Sequence, residues 1–245
     1  MKAIILVAGR GRRLPKHLSK NPKSLLKVGK KTILELLIEN LLMCGIRDIA
    51  LVTGYKKDEF KKFRLKKFHN NKWKYTNMVY SLMKADSWLS KESCIVTYGD
   101  ILYEKKIIKN LIDDENKITI SYDRNWKNLW KKRFSNPLVD AETFKIDRNK
   151  KILEIGKKTN EYIDIQGQYM GLMKFNPKGW TIFKKFLKNN FKNKFENLFL
   201  TEIFQKLIEN KFVIKGIEYK GKWAEVDSQK DYFIMKKIFK NYDHK

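Results

Sequence analysis

The chain of 245 residues carries a formal charge of +27 at pH 7, and 42% of its residues are hydrophobic. This size suits one large α/β domain, and no apolar run approaches the roughly 18 residues of a membrane span. Two cysteines and three histidines exclude a disulfide framework and a zinc site, so we expect a cytoplasmic protein. The lysines are scattered rather than clustered, so we expect anionic small molecules as partners, without nucleic acid or membrane.

The first half alternates strands with helices. The apolar run from Ala3 to Val7 leads into an arginine-rich loop with no small-residue cleavage site, so it predicts a buried strand rather than a signal peptide. After a polar loop to about Lys31, Thr32 and Glu35 predict a capping box. The helix that follows is predicted to end at Gly45 and to have one apolar face, formed by Leu34, Leu37, Ile38, Leu41 and Leu42. Further predicted elements are a strand at 48–53, a basic helix at about 56–67, a helix at 78–89, and strands at 93–98 and 117–122.

The second half begins with a short amphipathic helix, predicted from aromatic residues at 126, 130 and 134. A hairpin of strands 142–146 and 152–155 follows, then a strand at 167–175 and helices at 178–189 and 198–209. The last predicted elements are a strand from about 213, a strand at 223–226 and a helix from Gln229. No repeat or low-complexity linker interrupts the chain, so we predict a single domain, 1–245, with halves 1–122 and 123–245.

The β-α-β-α-α-β order of the first half predicts an α/β fold. We expect a three-layer α/β/α sandwich around a mostly parallel, Rossmann-like sheet. Ligands of such sheets bind at the carboxyl ends of the strands. Three features occupy those ends: the loop after Val7, the pair Gly54-Tyr55, and Asp100. The sequence therefore predicts a ligand site at this edge.

The loop after the first strand combines glycines with arginines. Backbone N–H groups at Gly9 and Gly11 can converge on phosphate oxygens. Three of the eight arginines in the chain lie in this loop, and the planar guanidinium suits phosphate; they are Arg10, Arg12 and Arg13. Leu14 stands where a dinucleotide fingerprint would have its third glycine, and there is no Gly-Lys-Ser/Thr phosphate loop. The pattern predicts a phosphate-binding loop of another type.

The motif Leu6-Val7-Ala8-Gly9-x-Gly11-x-Arg13-Leu14, with Pro22-Lys23 further on, resembles the signature loop of the nucleoside-triphosphate transferases. These include sugar-phosphate nucleotidyltransferases and phosphocholine cytidylyltransferases. The resemblance covers nearly the whole chain and continues in Gly54-Tyr55, Asn77-Met78-Val79-Tyr80-Ser81-Leu82, Tyr98-Gly99-Asp100 and Glu225-Val226-Asp227-Ser228. Three segments are similar to cytidylyltransferases that activate small phospho-compounds: Trp126-x-x-Leu129-Trp130-x-x-Arg133-Phe134-x-Asn136-Pro137-Leu138-x-Asp140-Ala141-Glu142-Thr143, Glu154-Ile155-Gly156-Lys157-Lys158 and Gln166-Gly167-Gln168-Tyr169-Met170-Gly171. The loop at 14–21 is shorter than in the family.

The resemblance implies the fold of the nucleotide-diphospho-sugar transferases, with a nucleotide-binding half (1–122) and an acceptor-binding half (123–245). It implies that Arg13 and Lys23 contact the triphosphate and the acceptor phosphate, and that Asp100 and Asp227 bind Mg²⁺. Two carboxylates at separate strand ends repel each other unless a cation lies between them. The residues implied to contact the nucleotide are Leu6, Ala8, Gly9, Arg10, Gly11, Arg12, Arg13, Lys23, Gly54, Tyr55, Thr76, Asn77, Tyr98, Gly99 and Asp100.

The candidate acceptor-binding residues are Arg133, Glu142, Lys157, Gln168 and Glu225. Two points stay open on the sequence alone. Trp126 and Trp130 either line a pocket for a cationic group or form a core-facing stripe, and Asp227 is also placed to cap the last helix.

The function that this resemblance implies is transfer of CMP from CTP to a small phosphate, phosphonate or phosphoramidate acceptor, with release of pyrophosphate. The acceptor would be a phosphoglutamine, a phosphonate or phosphocholine, and the protein a monomer or homodimer. Three alternatives remain: a sugar-1-phosphate nucleotidyltransferase, a basic nucleic-acid-binding module, and a catalytically silent binding protein of the same fold.

Overall fold

The protein is described here by a computed structural model that covers residues 1–11, 13–192, 194–240 and 242. Its strands are β1 (Lys2–Val7), β2 (Lys27–Val28), β3 (Lys31–Thr32), β4 (Ile49–Thr53), β5 (Lys66–His69), β6 (Cys94–Tyr98), β7 (Ile101–Tyr103), β8 (Ile118–Asp123), β9 (Glu142–Ile146), β10 (Ile152–Lys158), β11 (Gln168–Phe175), β12 (Lys215–Tyr219) and β13 (Trp223–Glu225). Its helices are α1 (Ile33–Met43), α2 (Met78–Met83), α3 (Asp86–Leu89), α4 (Lys106–Asp113), α5 (Trp126–Arg133), α6 (Pro177–Phe191), α7 (Leu200–Glu209) and α8 (Gln229–Ile238).

The central sheet has seven strands in the order β12-β8-β11-β6-β1-β4-β5. Strand β1 pairs in parallel with β4 and β6, β4 with β5, and β8 with β12. Strand β11 runs antiparallel between β6 and β8. The predicted mostly parallel α/β sheet is therefore confirmed, and the carboxyl ends of β1, β4 and β6 share one edge.

Both faces of the sheet are covered, which makes the fold three-layered. Alternate residues of β1 enter two separate hydrophobic cores: Ala3 and Ile5 lie in one, and Ile4 lies in the other. Helices α1, α4, α5 and α8 contribute to the first core. Helices α2, α3, α6 and α7 contribute to the second. This alternation follows from the two-residue period of a strand.

Helix α1 begins where the sequence predicts, but the side that it buries differs from the predicted apolar face. Thr32 Oγ1 accepts a hydrogen bond from the Glu35 backbone N–H at 3.2 Å, and the Thr32 N–H donates to Glu35 Oε2 at 2.7 Å. The predicted apolar face is wrong at Leu42, which is 48% exposed. Leu36 and Asn40 are buried instead, because the helix turns this side toward the sheet.

The predicted basic helix at 56–67 is wrong. The segment forms one 3₁₀ turn, Lys57–Phe60, after Lys56 in the left-handed region at φ 47°, and then strand β5. Strand β5 pairs with the outer edge of the fully buried β4. The lysine-rich segment has no regular spacing of apolar residues that would favour a helix, so backbone pairing with β4 decides its structure. Lysine-rich edge strands are a common protection against further pairing. The predicted helix at 78–89 is divided into α2 and α3.

The hairpin predicted in the second half is confirmed by antiparallel pairing of β9 and β10, and the amphipathic helix is confirmed as α5. The first loop, predicted to be irregular to Lys31, contains the small ladder of β2 and β3. None of the helices in the described part of the chain has the length and apolar character needed to cross a bilayer.

Candidate active site

A cavity opens at the carboxyl edge of β1, β4 and β6, where the sequence predicts a ligand site. Glycines allow three strand ends to approach each other there. A Cβ on Gly54 would lie 2.7 Å from the Ala8 carbonyl oxygen, and a Cβ on Gly99 would lie 2.5 Å from Val7 Cγ1. The cavity is lined by Leu6, Val7, Ala8, Gly9, Gly11, Pro22, Lys23, Ser24, Trp73, Thr76, Asn77, Met78, Ser81, Tyr98, Gly99 and Asp100.

The glycine-arginine loop is folded over the side chain of Lys23. Gly11 adopts φ +70°, and a Cβ at this position would lie 2.8 Å from Lys23 Cγ, so the loop requires glycine here. The guanidinium of Arg10 lies over the Tyr55 ring, with its Cζ 5.7 Å from the centroid, and the Tyr55 N–H donates to the Ala8 carbonyl at 2.9 Å. Arg12 lies outside the described residues.

Lys23 joins the two aspartates that the sequence predicts as a metal pair. Its Nζ lies 3.0 Å from Asp100 Oδ2 and 2.7 Å from Asp227 Oδ1. The solvent-exposed Arg13 places Nη2 2.7 Å from the same Asp227 oxygen. The lysine ammonium therefore lies between the two carboxylates, at the position where the sequence predicts Mg²⁺.

The pKa values of this group reflect the ion pairs. Burial lowers the pKa of Lys23, but the carboxylates of Asp100 and Asp227 outweigh it, so the pKa of Lys23 is raised above its usual value. Burial raises the pKa of Asp227, but Lys23, Arg13 and Arg133 outweigh it and lower that pKa. Lysine and aspartate are therefore both held in their charged forms.

Arg133 forms the buried side of the same cluster, with 1% of its side chain exposed. Its Nε donates to Asp231 Oδ1 at 2.9 Å, its Nη1 contacts Glu225, and its Nη2 lies 3.6 Å from Asp227 Oδ2. Asp140 approaches Nη1 at 3.9 Å. Burial, together with neighbouring carboxylates, raises the pKa of Glu225 despite the contact with Arg133. Carboxylates thus outnumber cations locally, although the whole chain is strongly basic.

Asp231 ties this cluster to the start of α8. Its Oδ2 accepts hydrogen bonds from the backbone N–H groups of Asp227 and Ser228, at 3.2 and 2.8 Å, and from the Ser228 hydroxyl. Ser228 is the cap of α8. The alternative in which Asp227 caps the helix is therefore wrong, and the Asp227 side chain instead pairs with Lys23 and Arg13.

Four of the five candidate acceptor residues fall into two groups, and Lys157 belongs to neither. Gln168 clamps the backbone of Glu142, since its Oε1 accepts from the Glu142 N–H and its Nε2 donates to the Glu142 carbonyl. Burial raises the pKa of the Glu142 carboxyl. Glu225 and Arg133 belong to the charged cluster. Lys157 is half-exposed and pairs with acidic side chains at 154 and 209, and it is Lys158 that lies opposite Glu142.

The two tryptophans belong to the core. Trp126 and Trp130 are buried. Their indole N–H groups donate to the Ile165 carbonyl at 3.2 Å and to Asp140 Oδ2 at 3.1 Å. The core-facing stripe is therefore the correct one of the two interpretations, and Trp130 also helps to orient Asp140.

Three residues of the site were missed from the sequence. Asp140 was noted only as part of a motif. Asp231 stands at capping-box spacing from Ser228, a signal that was available. Asn70, a buried amide bonded to cavity residues, follows an unrecognised edge strand and has no local signal.

The donor set at this edge fits a magnesium ion, although it does not form a complete metal cage. Among the described residues, no group of three or more His, Cys, Asp and Glu side chains is arranged to hold a metal. Two carboxylates, Asp100 and Asp227, converge on the position that the Lys23 ammonium occupies in this structure. Mg²⁺ is commonly bound by one or two carboxylates together with substrate phosphates and water, so this pair suits an ion that arrives with a nucleotide.

Known proteins of similar sequence are NTP transferases and cytidylyltransferases. A family model, the MobA-like NTP transferase domain, matches residues 3–141. The chain is 38% identical to the CTP:phosphoglutamine cytidylyltransferase of Campylobacter jejuni, over 94% of this chain and 97% of that protein. It is 32% identical to a choline-phosphate cytidylyltransferase of Streptococcus pneumoniae over 53% of this chain and 57% of the relative.

Solved structures share the fold. A CTP:phosphocholine cytidylyltransferase from Streptococcus pneumoniae superposes with a TM-score of 0.76 at 24% identity, covering 97% of this chain and 98% of that one. The inositol-1-phosphate CTP transferase from T. maritima gives a TM-score of 0.75 at 20% identity, covering 98% and 96%.

Proposed function

The chain belongs to the MobA-like NTP transferase family and is a nucleotidyltransferase, and we propose on that premise that it transfers CMP from CTP to a small phosphorylated acceptor, releasing pyrophosphate. The observation that carries the proposal is the convergence of Arg13, Lys23, Asp100 and Asp227 in one group of ion pairs, of which Lys23 and Asp100 line the cavity. The 38% identity to a CTP:phosphoglutamine cytidylyltransferase over nearly the full length of both chains supports CTP as the donor. It also makes a phosphoramidate such as phosphoglutamine the first acceptor to test.

The cavity suggests how the nucleotide lies. Ala8, Gly9 and Asn77 are among the residues that line it, and we place the base against them. Lys23 also lines the cavity, and Arg13 shares its partner Asp227, so we place the phosphates beside these two cations. Both cations are paired with carboxylates, so phosphate oxygens offer them an alternative anionic partner. Burial lowers the pKa of Lys23, but the carboxylates of Asp100 and Asp227 raise it by more, so the ammonium is charged before the nucleotide binds.

We assign Asp100 and Asp227 as the protein ligands of Mg²⁺. The local excess of carboxylates, formed by Asp100, Asp140, Asp227, Asp231 and Glu225 against Arg13, Lys23 and Arg133, favours an additional cation. When bound, the ion neutralises charge on phosphate oxygens around the reacting phosphorus. Arg133 and Asp231 position Asp227: Asp231 accepts a hydrogen bond from its backbone N–H, and Arg133 lies beside its carboxylate.

The reaction that we propose needs no covalent intermediate on the protein. An oxygen of the acceptor phosphate forms a bond to the α-phosphorus of CTP. The bond from that phosphorus to the oxygen bridging to the β-phosphate breaks, and pyrophosphate leaves with the electron pair. Arg13 and Lys23 stabilise the charge that shifts onto the phosphate oxygens, and the loop fixes the triphosphate for in-line attack.

The acceptor side is supported by burial and charge. Glu142 begins β9 and Glu225 ends β13, and these residues are held by Gln168 and Arg133 respectively. We propose that these residues line the acceptor pocket. Lys157 remains a candidate whose side chain pairs with acidic surface residues. We also propose a reducing cytoplasmic setting, since Cys44 and Cys94 are free thiols.

The test is pyrophosphate release from CTP with Mg²⁺ and a panel of acceptors: phosphoglutamine, phosphocholine, aminoalkyl phosphonates and sugar 1-phosphates. Asp100→Asn and Asp227→Asn should each abolish turnover while the circular dichroism spectrum remains that of the folded wild type. Asp58→Asn is the matched control, since Asp58 is an exposed residue paired with Lys61 and should retain full activity. Inactivity of the wild type with every acceptor would overturn the proposal. Full activity in either site variant would remove that residue from the metal site.

A further inference from the structure

The two aspartates assigned to the metal are already neutralised by cations of the protein. Lys23 Nζ lies 3.0 Å from Asp100 Oδ2 and 2.7 Å from Asp227 Oδ1, and only 12% of the lysine side chain is exposed. Arg13 Nη2 lies 2.7 Å from the same Asp227 oxygen. One carboxylate oxygen therefore accepts two cations, and a single ammonium joins both carboxylates.

Asp100 and Asp227 cannot hold this ammonium and a magnesium ion at the same time. Carboxylate oxygens bind Mg²⁺ at about 2.0–2.1 Å, so an ion held by both side chains would need the space that the Lys23 nitrogen fills. A lysine that stayed beside the ion would repel it. Lys23 and the metal therefore compete for the same two carboxylates. The carboxylates become free for the metal when Lys23 has another anionic partner.

The same arrangement leaves a buried donor unused beside Asp227. Arg133 Nη2 has no hydrogen-bond partner in the described part of the chain, although the arginine side chain is only 1% exposed. It lies 3.6 Å from Asp227 Oδ2, which is too far for a hydrogen bond. A buried donor without an acceptor is costly. A small shift of the Asp227 carboxylate toward Arg133 would supply the acceptor once Lys23 and Arg13 no longer hold its other oxygen.

We propose that Lys23 is a placeholder for the metal, so that the protein binds Mg²⁺ tightly only together with the nucleotide. In the ligand-free protein the ammonium holds Asp100 and Asp227 together. When a triphosphate binds, Lys23 and Arg13 move to its oxygens, Asp100 and Asp227 accept the ion, and Arg133 Nη2 gains Asp227 Oδ2. The inference rests on the proposed function, because it needs phosphates beside Lys23, but it needs no particular position of the base.

Nucleotide binding and metal binding are then coupled through Lys23. Each ligand raises the affinity of the protein for the other by the same factor, as linkage requires. Part of this coupling factor comes from direct contact between metal and phosphate and does not depend on the lysine. The rest comes from the release of the ammonium from the two carboxylates and is lost in a variant without it. We expect this second part to be about tenfold or more, since hydrogen bonds between charged groups are involved.

The experiment compares the affinity for Mn²⁺ with and without nucleotide in the full-length protein. Calorimetry gives the affinity of the nucleotide-free protein directly. The affinity of the nucleotide complex follows from titrations with a CTP analogue that has a methylene group between the α- and β-phosphorus, carried out with and without Mn²⁺. The ratio of the two affinities is the coupling factor, and its measurement requires no turnover.

Lys23→Met should have a coupling factor at least about tenfold smaller than the wild type, because its nucleotide-free form binds Mn²⁺ more tightly. Lys23→Gln removes the charge but keeps a polar side chain, and it should behave alike. It replaces the methionine variant if that variant lacks the circular dichroism spectrum of the folded protein. Lys61→Met is the matched control, since Lys61 pairs with Asp58 at the surface, and it should keep the wild-type coupling factor.

The proposal is overturned if the folded Lys23 variants keep the wild-type coupling factor. It is also overturned if the nucleotide-free wild type binds Mn²⁺ as tightly as its nucleotide complex does, or if the analogue does not bind. If the wild type shows no turnover with any acceptor, the proposed function fails, and the coupling factors still decide the role of Lys23.

Discussion

Replacing Arg133 by methionine should destabilise the protein strongly. The guanidinium is 1% exposed and is bonded to Asp231 at 2.9 Å and in contact with Glu225. Methionine fills much of the same volume but leaves these carboxylates without their cation. Removing one partner of a buried ion pair costs about 3–5 kcal/mol. For a domain of this size that loss lowers the melting temperature by about 6–20 °C.

The assay is thermal unfolding followed by circular dichroism, with urea unfolding to check that the slope is unchanged. Lys61→Met is the control, since Lys61 pairs with Asp58 at the surface with 77% of its side chain exposed; its melting temperature should stay close to that of the wild type. Arg133→Lys should rescue little, because the planar fork serves several carboxylates at once. An Arg133→Met protein that melts within about 2 °C of the wild type would refute the reasoning, since that shift corresponds to less than about 1 kcal/mol.

Three further predictions concern other charged groups. In Lys23→Met the ammonium between the site aspartates is gone, so we expect the nucleotide-free protein to bind Mn²⁺ at least about tenfold more tightly than the wild type by calorimetry; equal affinities would contradict this. Burial raises the pKa of Glu35, but the hydrogen bonds from Thr32 outweigh burial, so the pKa is lowered. The charged Glu35 carboxylate therefore stabilises the folded protein, and this stabilisation is lost as pH falls through the pKa of the folded state. Glu35→Gln should therefore melt below the wild type at about pH 6 and approach it below about pH 4; a constant difference would argue against the capping box. Burial lowers the pKa of Lys174, and this effect outweighs the opposite effect of Asp114, which lies 4.0 Å away. Lys174→Met should therefore melt no lower than the wild type near neutral pH. Any excess of its melting temperature over that of the wild type should shrink as pH rises through the lowered pKa.

The sequence predicts correctly those features that depend on residues close together in the chain or on the general geometry of parallel sheets. Thr32 and Glu35 are three residues apart, and their capping box needs nothing beyond one helical turn. Asp100 could be placed beside the glycine loop because the carboxyl ends of neighbouring parallel strands meet at one edge. The pairing of β1 with β6 supplies this neighbourhood.

The features that could not be predicted depend on distant partners. Arg133 has its carboxylate partners at Glu225 and Asp231, roughly a hundred positions along the chain, so no local pattern distinguishes it from an exposed arginine. The helix predicted at 56–67 is replaced by a 3₁₀ turn and by the start of edge strand β5 at Lys66. The strand forms because β4 offers an edge for pairing, which is a property of the sheet rather than of the segment. Asn70 follows that strand, so its position beside Ser81 was hidden by the same error.

The measurement that tests the central claim most directly follows CTP radiolabelled at the α-phosphorus, incubated with the protein, Mg²⁺ and phosphoglutamine. Transfer of CMP predicts that the label appears in a cytidine diphospho-acceptor and that pyrophosphate is released in equal amount. Asp227→Asn should give neither product. Label remaining in CDP or CTP while the terminal phosphate reaches the acceptor or water would contradict the account, because attack would then fall on the γ-phosphorus.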